Sequence, residues 1–135
     1  MKILQFAIIT FVVSYVFIGC KKDHDPGLPP STSVQVEGRW EGSYVNDASG
    51  NTFYYSFNIK PGGIIEEINS SGQKVGEGTW TYENNILLAD YTWLPPAGST
   101  FSVIGSYYNS TGKFLGNWGY ENSTINGGTW EMIKK

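Results

Sequence analysis

From Val34 onward, runs of aromatic and β-branched residues give way to turn residues about every 10 to 15 positions. No stretch carries a 3.6-residue apolar period over helical length. Eight strands are expected: Val36–Asn46, Thr52–Lys60, Gly63–Asn69, Lys74–Glu83, Ile86–Thr92, Thr100–Asn109, Lys113–Tyr120 and Gly128–Lys134. Asp47-Ala48-Ser49-Gly50, Pro61-Gly62-Gly63, Ser70-Ser71-Gly72 and Asn109-Ser110-Thr111-Gly112 each supply a Gly where a turn needs positive φ. Asn84-Asn85 reads as a two-residue turn, and Asn126-Gly127 closes the last connection. Leu94 to Ser99 is the longest irregular link. Connections this short suit sequential antiparallel pairing, because a parallel crossover needs about a dozen residues or more. Within strands, Phe53, Tyr55, Phe57 and Ile59 share a face, as do Phe101, Val103, Gly105 and Tyr107, and Phe114, Gly116, Trp118 and Tyr120. One apolar and one mixed face is the pattern of a sheet curled round its own core. A meander leaves two open edges unless it closes on itself. The expected fold is therefore all-β, an eight-stranded antiparallel up-and-down barrel, with a flat sheet or two-sheet sandwich as the alternative. Such a barrel is wide enough for packed side chains or one small ligand.

The composition removes several chemistries. A chain of 135 residues has room for one domain of this kind. Its one Cys is Cys20 and its one His is His24, both ahead of the strands. The domain therefore holds no disulfide, no Cys/His zinc site and no His-based triad. A formal net charge of −3 with no basic patch argues against nucleic-acid binding. Glu66 and Glu67 are adjacent, so they point to opposite faces of a strand and form no direct dyad. Glu37 and Glu41, with Arg39 between them, read as a solvated charged face, and Asp90, on one face with Ile86 and Leu88, as a rim carboxylate exposed to water. No metal, no cofactor and no catalytic residues are expected, and the protein is not expected to be an enzyme.

The first residues are read differently. Met1-Lys2 gives a short positive start, and Ile3 to Ile18 is an almost unbroken apolar run. As a helix it would span about 24 Å, short of the roughly 30 Å hydrocarbon core, which fits an export signal better than a permanent span. The run ends in Phe17-Ile18-Gly19-Cys20, which resembles a bacterial lipobox, apolar and small residues preceding a Cys to be lipidated. The resemblance implies a signal peptide over residues 1–19, cleavage before Cys20, and several alkyl chains on Cys20 anchoring the chain to the cell envelope. Residues 20–33, with Lys21-Lys22-Asp23-His24-Asp25, Pro26, Pro29 and Pro30, read as a linker, and 34–135 as the barrel. Lys22-Asp23 with Asp25 is similar to a Lys-plus-acidic export tag of some Gram-negative surface lipoproteins; a solvated charge run is the other reading. Lys21 stands where the enterobacterial sorting pattern places an Asp for inner-membrane retention, which favours the outer membrane, on its periplasmic or surface face.

Four copies of one tripeptide stand out: Gly38-Arg39-Trp40, Gly78-Thr79-Trp80, Gly116-Asn117-Trp118 and Gly128-Thr129-Trp130. Gly and Trp two apart on a strand share a face, and the missing side chain leaves room for an indole or a bend. These are read first as packing devices, with ligand contact by one or more rings as the alternative. The first copy, opening an all-β meander, resembles the lipocalin and calycin signature, and the avidins are similar in their Gly-x-Trp repeats. The resemblance implies that Trp40, with Gly38, packs across one end of the barrel beneath a basic side chain from the last strand, for which Lys134 is the candidate. Transport and biotin binding do not carry over. Two functions are expected from different classes. In one, Tyr44, Tyr55, Trp80, Tyr82, Trp118 and Tyr120 line a cavity or its mouth and bind a small hydrophobic or carbohydrate ligand. In the other, Trp130 and its fellows fill the interior, and the outer face binds an envelope protein partner.

Overall fold

The computed structural model describes residues 34–135. The expected signal peptide, the Cys20 lipidation site and the linker lie outside the described residues. Eight strands follow in chain order: β1 (Gly38–Asn46), β2 (Thr52–Lys60), β3 (Ile64–Ile68), β4 (Lys74–Glu83), β5 (Ile86–Trp93), β6 (Thr100–Tyr108), β7 (Lys113–Tyr120) and β8 (Gly128–Lys134). Each pairs antiparallel with the next, and β1 also pairs with β8 from Trp40 opposite Lys134 to Asn46 opposite Gly128. That last ladder closes the barrel and rules out the open sheet and the sandwich.

Two boundaries move for a backbone reason. Gly38 has φ +121° and Gly63 has φ +79°, so the strands that contain or follow them start later than the side-chain pattern alone implies. Val36 consequently precedes β1, yet it is buried. β3 and β6 each end one residue early, at Ile68 and Tyr108, and β5 continues to Trp93, which pairs with Gly76. Asn84 and Asn85 both have positive φ (52° and 66°), the geometry of a two-residue hairpin turn matched to strand twist.

Antiparallel order gives the barrel two unlike ends. Odd-numbered strands begin, and even-numbered strands finish, at the end where Trp40 sits. Its connections are the short ones, Pro61 to Gly63, Asn84-Asn85 and Asn109 to Gly112. The other end carries the link from Leu94 to Ser99 and the one after Tyr120.

Between the ends the core is built from cross-strand rows. Trp130 on β8 lies opposite Gly116 on β7, which lies opposite Gly105 on β6. A Cβ on Gly116 would meet the Ile104 carbonyl, and one on Gly105 would fall 2.3 Å from the Trp130 ring, so the bare Gly105 leaves room for that indole. Around it pack Phe57, Ile65 and Phe114, each at most 1% exposed. Burial of side chains this size contributes about 1.5–3 kcal/mol each. Each Gly-x-Trp indole also has its N–H satisfied by a backbone carbonyl. Trp40 donates to Val36 at 2.6 Å, Trp80 to Lys60 at 2.9 Å, Trp118 to Val45 at 3.0 Å and Trp130 to Asn117 at 2.9 Å.

Candidate functional site

At the end away from Trp40 the core stops short of the rim. The space left is a cavity of about 120 Å³. Tyr44 and Asn46 reach it from β1, Tyr55 from β2, Glu67 from β3, and Tyr91 and Trp93 from β5. Ser99, Phe101, Trp118 and Tyr120 complete the wall. The rings form a circuit. Tyr55 meets Tyr44 and Tyr44 meets Trp118, both at 5.1 Å between centroids, Trp118 meets Phe101 at 6.1 Å, and Phe101 stacks on Tyr91 at 5.3 Å. The hydroxyls of Tyr91 and Tyr55, 2.7 Å apart, close the loop. The two contacts of Tyr44 are edge-to-face, an arrangement that the aromatic quadrupole prefers.

Among the described residues, Glu67 is the one carboxylate in this wall. Its neighbour Glu66 points outward, where Lys60 donates to it at 2.7 Å and holds its carboxyl below the ordinary range. Glu67 points inward and is only 7% exposed, and a register shift between Glu67 and Ile68 marks where β3 leaves its regular pairing with β4. Trp93 donates its indole N–H to Glu67 Oε2 at 2.6 Å. Burial pushes the Glu67 carboxyl up to about 7, against the opposing pull of the Trp93 and Tyr91 hydrogen bonds. Burial also raises the Tyr55 and Tyr91 phenols well above their ordinary range, and the nearby Glu67 charge adds to the effect. Among the described residues, no group of three or more His, Cys, Asp or Glu is placed to hold a metal ion.

The cavity opens beside a groove of about 650 Å³ on the rim, with which it shares Tyr44, Glu67 and Trp93. Phe53, Val75, Leu94 and Pro95 give the groove an apolar surface. A ligand could therefore place one end among the rings and its body along the rim.

Four of the six residues expected at a ligand site, Tyr44, Tyr55, Trp118 and Tyr120, do line the cavity. Trp80 and Tyr82 do not. They lie near the finish of β4, an even-numbered strand, and so belong to the Trp40 end. There Trp80 bonds the Lys60 carbonyl, while Tyr82 packs on Phe114 at 6.0 Å and donates to Asn85. Asp90 lies on the exposed outer face, bonded to Ser102, and away from the cavity. Glu67, Tyr91, Trp93 and Phe101 were missing from the expected set. The signal for two of them was present: Leu87, Ala89, Tyr91 and Trp93 alternate on one face of β5, opposite to Asp90. Of the residues expected to be structural, Trp40 is 1% exposed and Trp130 is 3% exposed. The Lys134 ammonium lies 6.0 Å from the Trp40 ring centroid, and a Cβ on Gly38 would touch the Lys134 side chain at 3.2 Å.

No known family model matches the chain. No curated protein matches it either. Among solved structures it is similar to a redesigned β-barrel, mFAP1, bound to DFHBI, with a TM-score of 0.51 and 16% identity over 73% of this chain and 94% of that one. A likeness at that identity establishes a shared β-barrel fold.

Proposed function

We propose that the barrel is a binding module for a small apolar or glycan-like ligand, held at the outer membrane by lipid on Cys20. The observation that carries this reading is the aromatic circuit enclosing a buried carboxylate at one end only. A barrel filled purely for cohesion has no use for an ionisable group in its wall, because burying it costs free energy. The similar redesigned barrel was solved with DFHBI bound, which supports the use of such a barrel as a container. The cavity, about 120 Å³, is smaller than the roughly 300 Å³ of a usual ligand pocket. It suits one end of a molecule, since a cavity of about 150 Å³ takes up benzene. The rest of the ligand lies in the rim groove.

Native mass spectrometry of the domain from Val34 is expected to reveal a co-purified small molecule, and a panel of lipids and sugars to raise its melting temperature. Repeatedly ligand-free preparations that no panel member stabilises would overturn the reading. The anchor is tested separately: intact-mass analysis is expected to find acyl chains on the wild type and none on Cys20→Ala.

A second reading is favoured by a different observation. Below the cavity a cluster of buried side chains fills the core, and Ile86, Leu88 and Leu115 are exposed on the outer face. On that reading the protein is a non-enzymatic accessory lipoprotein whose outer wall binds another envelope protein. Cross-linking in intact cells that captures one partner reproducibly, lost when Leu88 and Leu115 become Lys, would favour it over the first.

A further inference from the structure

We propose that the cavity accepts an organic cation, a methylated ammonium head group, whose apolar body lies along the rim groove. The inference rests on the reading of the cavity as a ligand site and names the ligand's chemical class.

Three observations on the geometry converge. First, the wall is built of aromatic rings: Tyr44, Tyr55, Tyr91, Phe101 and Trp118 form the closed circuit, and Trp93 tilts against Phe101 at 4.8 Å. Faces of aromatic rings attract cations, most strongly where water is excluded, and quaternary ammonium groups are bound in such cages. Second, the one formal charge that the wall can carry is negative. Among the described residues, no Lys, Arg or His lines the cavity, and Glu67 is its only carboxylate. Lys74, the nearest cation in the rim groove, is engaged on the outer face by Glu77 at 2.6 Å and Glu66 at 3.6 Å. A buried carboxylate without an opposite charge is costly, and a cationic ligand supplies that charge. Third, the size fits: at about 120 Å³ the cavity takes a compact group such as a trimethylammonium head and leaves the rest of the ligand to the rim groove. The Tyr55 and Tyr91 hydroxyls are spent on each other and Glu67 Oε2 already accepts from Trp93, which favours a methylated nitrogen over a primary ammonium that needs three hydrogen bonds.

The charge state of the carboxylate then controls affinity. Its raised pKa of about 7 means that much of the empty protein carries a protonated Glu67 at neutrality. The other titratable groups facing the cavity are Tyr44 from β1, Tyr55 from β2, Tyr91 from β5 and Tyr120 from β7. Burial raises the Tyr44, Tyr55 and Tyr91 phenols above their ordinary range, so Glu67 sets the charge of the wall near neutrality. A cation favours the ionised form, and its binding must weaken as pH falls below about 7.

The test is isothermal titration calorimetry on the full chain in detergent, with choline chloride and its neutral isostere 3,3-dimethylbutan-1-ol. Choline is expected to bind saturably at pH 8, with the alcohol weaker by about tenfold or more. Lowering the pH to 5.5 should weaken choline by about tenfold or more, and Glu67→Gln should do the same at pH 8. Trp80→Phe, at the other end of the barrel, should leave choline binding unchanged. The pH comparison needs no variant, so it decides the matter even if Glu67→Gln folds poorly. Equal binding of choline and the alcohol, or choline affinity indifferent to pH, overturns the cation assignment. So does binding of an uncharged lipid or sugar with no binding of choline; in each of these cases the cavity stands as a ligand site. Failure of choline, the alcohol and the lipid and sugar panel alike overturns both readings together.

Discussion

The two ends of this barrel are built from the same kinds of side chain and do different things with them. At one end Trp40 is packed edge-on against Phe114 at 4.7 Å and Tyr107 at 6.1 Å, and its N–H is spent on a main-chain carbonyl. At the other, Trp93 is only half-buried, and its N–H is held by the Glu67 carboxylate. A carbonyl has one protonation state in water and a carboxylate has two. The Trp40 end is therefore a fixed plug whose energy is nearly constant with conditions, and the Glu67 end is a wall whose charge depends on pH and on what lies against it. Both ends contribute to the buried core, but chemical responsiveness belongs to the second.

That contrast is broken most directly by Trp40→Ala, which should cost about 3–5 kcal/mol in chemical denaturation, whereas Trp93→Phe should cost about 1 kcal/mol or less. Equal losses at the two ends would erase the distinction. Next in size is the pH dependence set by Glu67. Its carboxyl titrates near 7 in the folded state, against a reference value of 4.5. The native state therefore holds a proton that the unfolded state has released, and stability falls as pH rises from about 4.5 to about 7, then levels off. The full span is on the order of 3 kcal/mol. Glu67→Gln should flatten that window and be the more stable protein at pH 8. Glu66 and Glu41, whose carboxyls are lowered, lose their contribution only below the same reference value, so the two effects occupy different pH ranges. Gly105→Ala should cost about 1–3 kcal/mol, because its methyl would meet the Trp130 ring at 2.3 Å. The smallest effect sharpens the picture of the plug: Lys134→Met removes an exposed ammonium from above Trp40 and should lower stability by about 0.5–1 kcal/mol in thermal melts.

The barrel itself was legible in the sequence because the turns were. Asn84-Asn85 and the Gly-containing links set strand lengths, and period-two alternation set the inward faces of β2, β6 and β7. Height along the barrel was harder to read. Alternation says which way Tyr82 and Tyr44 point but not which end each occupies, and that depends on strand parity. Tyr44 comes late in an odd-numbered strand and Tyr82 late in an even-numbered one, so identical chemistry is carried to opposite ends. Trp93 was lost for a smaller reason: ending β5 one residue early left it in a loop, and its place in the series with Tyr91 disappeared. Glu67 was correctly placed opposite Glu66 in direction. Its importance depends on Trp93 and Tyr91 arriving beside it from two strands away in sequence, which no local pattern encodes.

The bond from Trp93 to Glu67 gives the domain an optical readout of its own. Of five indoles, four are tied to amide oxygens whose electronic character does not vary with proton concentration. The fifth sits on an oxygen that exchanges a formal charge for a proton close to neutrality. The excited state of that one ring senses the change, so the emission spectrum of the unlabelled protein reports whether its cavity is charged or neutral.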